Sequence, residues 1–119
     1  MKLFKLTDEN GKTRGDTQWG DGVTHVATET GNQLCSRDVI HAYTDPLLAM
    51  MMNPIHANVQ NPLLWEAEGE VVADDGTKVG CKALTTVCRI PVPGVTLEQR
   101  VRFGILCALE LYKERSFVA

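Results

Sequence analysis

His41, Tyr43 and His56 flank three consecutive methionines in the segment Ile40-His41-Ala42-Tyr43-Thr44-Asp45-Pro46-Leu47-Leu48-Ala49-Met50-Met51-Met52-Asn53-Pro54-Ile55-His56. Imidazoles and a phenol can exchange protons or hold a polar ligand by hydrogen bonds, so this segment gathers the chain's most reactive residue types. Cys35 precedes His41 in a stretch that also holds Ser36 and Arg37. A neighbouring cation there would lower the thiol pKa and favour a nucleophilic role paired with His41 or His56. Glu66 supplies a carboxylate that could act as a second acid–base group. Trp19, in Gln18-Trp19-Gly20-Asp21-Gly22, is an aromatic among glycines, suited to capping a pocket, anchoring an interface or pinning its own loop to a sheet.

The spacing of these residues matches no motif that fixes one reaction. His25, His41, His56 and Cys35 offer nitrogen and sulfur donors but follow no metal-binding pattern, so neither a metal nor a cofactor is expected. Cys81, Cys88 and Cys107 read as small core residues, because free cysteine is among the most buried residue types. The expected ligand or partner surface is therefore Trp19, His41, Tyr43 and His56, with Cys35 and Glu66 behind them. Met50 to Met52 read as core filler or as an adaptable apolar surface.

Several elements must position these groups. Leu3 to Thr7 reads as a first strand ended by the turn Asp8-Glu9-Asn10-Gly11. Five glycines between Gly11 and Asn32 predict a loop-rich region with brief strands near Val23 to Ala27 and Val39 to Tyr43. Asp45-Pro46 is a helix start, since the carboxylate caps free N–H groups and proline at the first helical position loses no bond. Asn53-Pro54 predicts its end at Met52. Trp65 to Val72 alternates, with Trp65, Ala67, Gly69 and Val71 inward and Glu66, Glu68 and Glu70 toward solvent, as in a half-buried antiparallel strand. A loop at Asp75-Gly76-Thr77 would pair it with Lys78 to Ile90, setting Asp74 opposite Lys78, Glu70 opposite Lys82 and Val71 opposite Cys81, with a bulge near Gly80 or Thr85-Thr86. Thr96 and Gln99 form a capping box for a long helix, Leu97 to Lys113. Its uninterrupted apolar run from Phe103 to Leu109 predicts burial nearly all round, against the sheet or against a second subunit.

Composition narrows the function classes. A chain of 119 residues with 44% hydrophobic and 23% charged residues suits one globular domain, 1-119, that folds without a metal or disulfide. A net charge of −3 with both signs interspersed provides no basic face for nucleic acid. No apolar run approaches the ~20 residues that span a bilayer, so no membrane association is expected. The first residues, Met1 to Asp8, do not read as a secretory signal, which places the expectation in a reducing cytoplasm.

The series Leu3-Phe4-Lys5-Leu6-Thr7-Asp8, Gln18-Trp19-Gly20, Leu34-Cys35, Ile40 to Ala49, Asn53-Pro54-Ile55-His56, Leu64-Trp65-Glu66-Ala67-Glu68-Gly69 and Lys78-Val79-Gly80-Cys81 resembles an uncharacterised family of short phage, prophage and metagenomic proteins, across nearly the whole chain. The resemblance implies a mobile-element origin and assigns no catalytic residue. A second resemblance, in the order of strands and helix from Leu3 to Ile90, is to the ADP-ribosyltransferase-like fold. The chain departs from that family at the catalytic glutamate, which has no matching motif here, and at the first strand, which carries no dinucleotide-binding arginine or histidine.

The expectation is an α+β domain: a mainly antiparallel twisted sheet, a long C-terminal helix packed on one face, and one short helix. The function expected is a small non-catalytic binding or accessory protein of a mobile element that contacts a small molecule or a host protein, including one in a defence pathway. The alternatives are a nucleotide-directed enzyme using His41 or His56 with Glu66, and an interaction protein forming a homodimer through the C-terminal helix.

Overall fold

β1 (Lys2–Thr7), β6 (Leu63–Asp74) and β7 (Val79–Ile90) form the frame of the chain in a computed structural model that describes residues 1–34, 38–56 and 59–118, the side chains of 54, 55 and 111–118 excepted. β6 lies between the other two and pairs antiparallel with both. β4 (Val23–Val26) and β5 (Ile40–Ala42) share the other edge of β7, β4 along Ala83 to Thr86 and β5 along Val79 to Cys81. Past β5 the chain reaches Tyr43, which exchanges two backbone hydrogen bonds with Phe4: Phe4 N donates to Tyr43 O at 2.8 Å and Tyr43 N to Phe4 O at 2.9 Å. The strands thus close on themselves in the order β1, β6, β7, β5 and back to β1. The result is α+β with a mainly antiparallel sheet and two helices, as expected.

Alternation sorts side chains onto two faces. Leu3, Ala42, Ala67, Val79, Cys81 and Leu84 form one cluster with Trp19, and Val23, Ile40 and Val71 pack against it. Phe4, Tyr43, Leu64, Ala49 and Met52 form the other, with Leu6, Leu48, Ile90 and Phe103 around them. Trp65 turns its indole N–H to the buried Thr7 hydroxyl at 2.9 Å, which satisfies both groups in the core. Three register shifts interrupt the β6–β7 ladder. They allow one 12-residue strand, β7, to serve β5 with its first residues and β4 with later ones.

The shifts also correct the expected register. Val71 does face Cys81, but Asp74 faces Val79 rather than Lys78, and Glu70 falls within a shifted stretch rather than opposite Lys82. The glycine-rich region, expected to be loop here, holds a small hairpin, β2 (Lys12–Thr13) with β3 (Thr17–Gln18).

The short helix, α1 (Pro46–His56), starts as expected, with Asp45 Oδ1 accepting from Leu47 N at 2.8 Å and Leu48 N at 3.3 Å. It does not stop at Met52. Asn53 donates through Nδ2 to Val59 O and accepts from Val59 N, both at 2.9 Å, so the side chain of Asn53 fastens the final turn to the segment that follows. This local clamp offsets the hydrogen bond that Pro54 cannot donate. Met50 and Met52 are buried, which makes them core filler.

α2 (Leu97–Val118) opens on the expected capping box: Gln99 N donates to Thr96 Oγ1 at 3.1 Å and Thr96 N to Gln99 Oε1 at 2.9 Å. Its burial departs from expectation. Phe103 packs against the second cluster, yet Leu97, Val101, Ile105, Leu106 and Leu109 are each more than half exposed, and Cys107 is exposed rather than a core residue. α1 already covers that face through Leu48, Ala49 and Met52, and among the described side chains of α2 it is Phe103 that packs there. No helix among the described residues is long and apolar enough to cross a membrane.

Candidate binding surface

β5 alternates, so Ala42 enters the first cluster and Ile40 packs against it while His41 and Tyr43 point to the opposite face. The extra turn of α1 brings His56 over that face. Tyr43 Oη and His56 Nδ1 are 2.6 Å apart, and the two rings stack with centroids 5.8 Å apart and planes 15° from parallel. Burial pushes the Tyr43 phenol up to about 12, helped by the negative charge of Asp75. The same desolvation, with the charge of Lys78 beside it, lowers His56. With the phenol protonated and the imidazole neutral, a single proton is shared along the Tyr43 Oη–His56 Nδ1 hydrogen bond, from whichever of the two carries it in the ring tautomer present.

His41 belongs to the same electrostatic neighbourhood. Burial, followed by the charges of Lys5, Lys78 and His56, lowers it to about 4, with Asp75 opposing. Asp75 sits in the β6–β7 turn, where burial pulls its carboxyl up, but donors from Lys78 N, Thr77 N and Thr77 Oγ1 outweigh this and hold it at about 2. Lys5 comes from the inner face of β1. Its Nζ donates to His41 O at 2.5 Å and lies 5.5 Å from the centre of the Trp19 ring, and desolvation lowers its pKa to about 8. Nothing in the sequence marks Asp75 or Lys78, at the β6–β7 turn, or Lys5, in β1, as part of this site. The alternation Leu3-Lys5-Thr7 signals only that a lysine turns toward an apolar face.

The other expected site residues lie elsewhere. Trp19 is 3% exposed, and its indole donates to Thr13 Oγ1 at 3.0 Å while its ring meets His25 edge-on at 4.6 Å. It pins the β2–β3 hairpin to the core and offers no face to a ligand. Glu66 pairs with Lys2 at 2.8 Å and accepts from Cys88 Sγ at 3.6 Å, and the lysine holds its carboxyl below the usual range. Phe4, paired with Glu66 on one side and with Tyr43 on the other, stands between that carboxylate and the histidines. Cys35 lies outside the described residues. A shallow hollow of about 440 Å³ between Glu68, Glu70, Val72, Lys82 and Thr85 shares no residue with the histidine surface.

No family model, curated protein or solved structure matches the chain. The functional reading therefore rests on this geometry. His41 at about 4 and Tyr43 at about 12 both lie far from neutral pH, whereas an efficient acid–base pair is poised near it. The Tyr43 hydroxyl is already engaged by His56. The arrangement holds α1 on the sheet through Tyr43 and His56 and sets both histidine rings in the field of Lys78.

Proposed function

We propose that the protein is a non-catalytic interaction protein in which the closed sheet holds α2 outward as an apolar arm for another polypeptide. The exposed series Leu97, Val101, Ile105 and Leu109 carries this reading, because a row of large apolar side chains left in water along one helix is the usual mark of a contact surface. The long C-terminal helix is then packed on both sides, by its own domain through Phe103 and by the partner along this row. The resemblance to short phage and metagenomic proteins supports a role as an accessory protein of a mobile element that binds a host protein. Mixing tagged chain with a bacterial lysate and untagged chain, then identifying retained polypeptides by mass spectrometry, tests the reading. A species held by the wild type and lost by the Val101→Glu/Ile105→Glu variant supports it; identical retention by both overturns it.

A second reading places a ligand at His41 and His56. It is favoured by the electrostatic coupling of both rings to Lys78 and Asp75. Two neutral N–H-bearing rings beside an ammonium would suit a hydrogen-bond-accepting or anionic group. Native mass spectrometry of freshly purified protein would show such a ligand as added mass, and the His41→Ala/His56→Ala variant should lack it.

A further inference from the structure

We infer that the amine of Lys5 is a covalent docking point for a small aldehyde or ketone, which it takes up as an imine at the inner face of the closed sheet. β1 turns Leu3, Lys5 and Thr7 to that face, and both tryptophans of the chain flank the lysine. Trp65 stands directly opposite it on β6, and the centre of the Trp19 ring lies 5.5 Å from Nζ. The ammonium is met by His41 O at 2.5 Å and by the Trp19 ring, but among the described residues no carboxylate pairs with it. A cation held from water on those terms is disfavoured against the neutral amine. Desolvation accordingly brings Lys5 down to about 8, with the Cys81 thiol opposing. The neutral amine is a nucleophile, and it keeps two N–H bonds, so one can stay on His41 O while the lone pair attacks.

The other lysines with described surroundings are held differently. Lys2 is paired with Glu66 at 2.8 Å, which raises it. Lys82 Nζ donates to the backbone oxygens of Glu29, Gly31 and Asp38, and Lys78 is buried. Lys5 is half-buried, which limits hydration of its charge without sealing it from a small molecule. At about pH 7.5, roughly a quarter of an amine with a pKa of about 8 is unprotonated, against about 0.1% of an ordinary lysine.

The step balances without an oxidant or reductant. The Nζ lone pair adds to the carbonyl carbon, the carbonyl oxygen takes up the proton that the nitrogen gives away, and loss of water leaves a C=N bond. The imine is neutral where the ammonium was charged, so uptake relieves the cost of a cation beside two indoles. An anionic ligand would instead bring a second charge out of water, which is why a carbonyl compound fits this amine better.

Propanal with cyanoborohydride, which delivers hydride to the C=N bond and fixes it as a propylamine, tests this on the full chain at about pH 7.5. Peptide fragment ions locate each label and separate Lys5 from the Met1 α-amine. Lys5 should be alkylated at least tenfold faster than Lys12 of β2, and its rate should level off above about pH 8, where the amine is already free. In denaturing urea, which removes the indoles and the closed sheet, that lead should disappear. Labelling of Lys5 no faster than that of Lys12 overturns the inference, as does a lead that survives urea. Either result leaves the role of α2 to the lysate comparison.

Discussion

The phenol of Tyr43 and the imidazole of His56 are joined twice, by a 2.6 Å hydrogen bond and by ring stacking, and so connect the end of α1 to the strand segment that closes the sheet. Tyr43→Phe keeps the stack and removes the bond. It should lower stability by about 1 kcal/mol, the net value of a neutral hydrogen bond whose partner can still reach water. For a chain of this size that is roughly a 3–5 °C drop in the thermal midpoint. His56→Ala should cost more, since it also removes the stacked ring. Adding Tyr43→Phe to His56→Ala should then cost almost nothing, and a double-mutant cycle showing full additivity would contradict the link.

Acid stability should depend on His41. Its folded pKa is about 4 against an ordinary 6.5. Between these values the unfolded chain binds a proton that the folded chain refuses, so stability is full above pH 6.5 and falls as pH drops toward 4. The ring is only half-buried, so solvent screening keeps the loss from this one group below the roughly 3 kcal/mol that the full shift would give across that window. His56, also lowered, adds to it in the same direction. Urea denaturation at stepped pH values should show the His41→Gln variant with a shallower decline than the wild type. Parallel curves would mean that His41 is not held neutral.

What could be read in the sequence was mostly what a few neighbouring residues decide. The Asp45 cap and the Thr96–Gln99 box are contained within one helical turn each, and both form as expected. The Val71–Cys81 pairing follows from alternation, but each register shift changes the partner count on one strand and leaves no mark in composition, so Asp74 and Lys78 do not pair. Pro54 misled because the Asn53–Val59 clamp that tolerates it depends on where the chain returns. For Trp19 the sequence leaves open a pocket cap, an interface anchor or a pin holding its loop to the sheet, and the hairpin between Lys12 and Gln18 decides for the last. His41 and His56 were identified, but their common neighbours Lys78 and Asp75 come from the β6–β7 turn, which the sequence places far away. The apolar run in α2 predicts burial nearly all round, yet Ile105, Leu106 and Leu109 are more than half exposed; that α1 covers the sheet face first was not deducible from the run.

Thr7 offers a test of the buried polar pair at the inner face. Its hydroxyl accepts from Trp65 Nε1 at 2.9 Å and donates to Asp8 O at 3.0 Å, and both Thr7 and Trp65 are buried. Thr7→Val preserves shape while leaving the indole N–H without a partner in the core. An orphaned buried donor costs about 1–3 kcal/mol, more than the hydrogen bond itself contributes. Thr7→Ser should retain the bond and lose only a methyl group, so denaturant midpoints should rank wild type, Ser, then Val. Equal midpoints for Ser and Val would show that packing of the methyl, and not the hydrogen bond, is what matters at this position.

Gly69 and Gly76 separate two reasons for having glycine. In β6, a Cβ on Gly69 would sit 2.9 Å from Ala83 O, 3.0 Å from Leu84 Cδ1 and 3.1 Å from Cys81 Sγ. The nearest of these is a backbone oxygen of the paired strand, which cannot turn aside as a side chain can. In the β6–β7 turn, Gly76 has φ +88° but nothing within 4 Å of a built Cβ. Its substitution meets only the left-handed backbone penalty of about 1–2 kcal/mol. Gly69→Ala instead forces β6 away from β7 where the ladder already shifts, and overpacking of this kind costs typically 1–3 kcal/mol while also disturbing Leu84 and Cys81 in the core. Gly76→Ala should therefore shift only the denaturant midpoint, whereas Gly69→Ala should also lose amide-exchange protection along Ala83 and Leu84. If protection there survives, the two strands do not approach as closely as 2.9 Å implies.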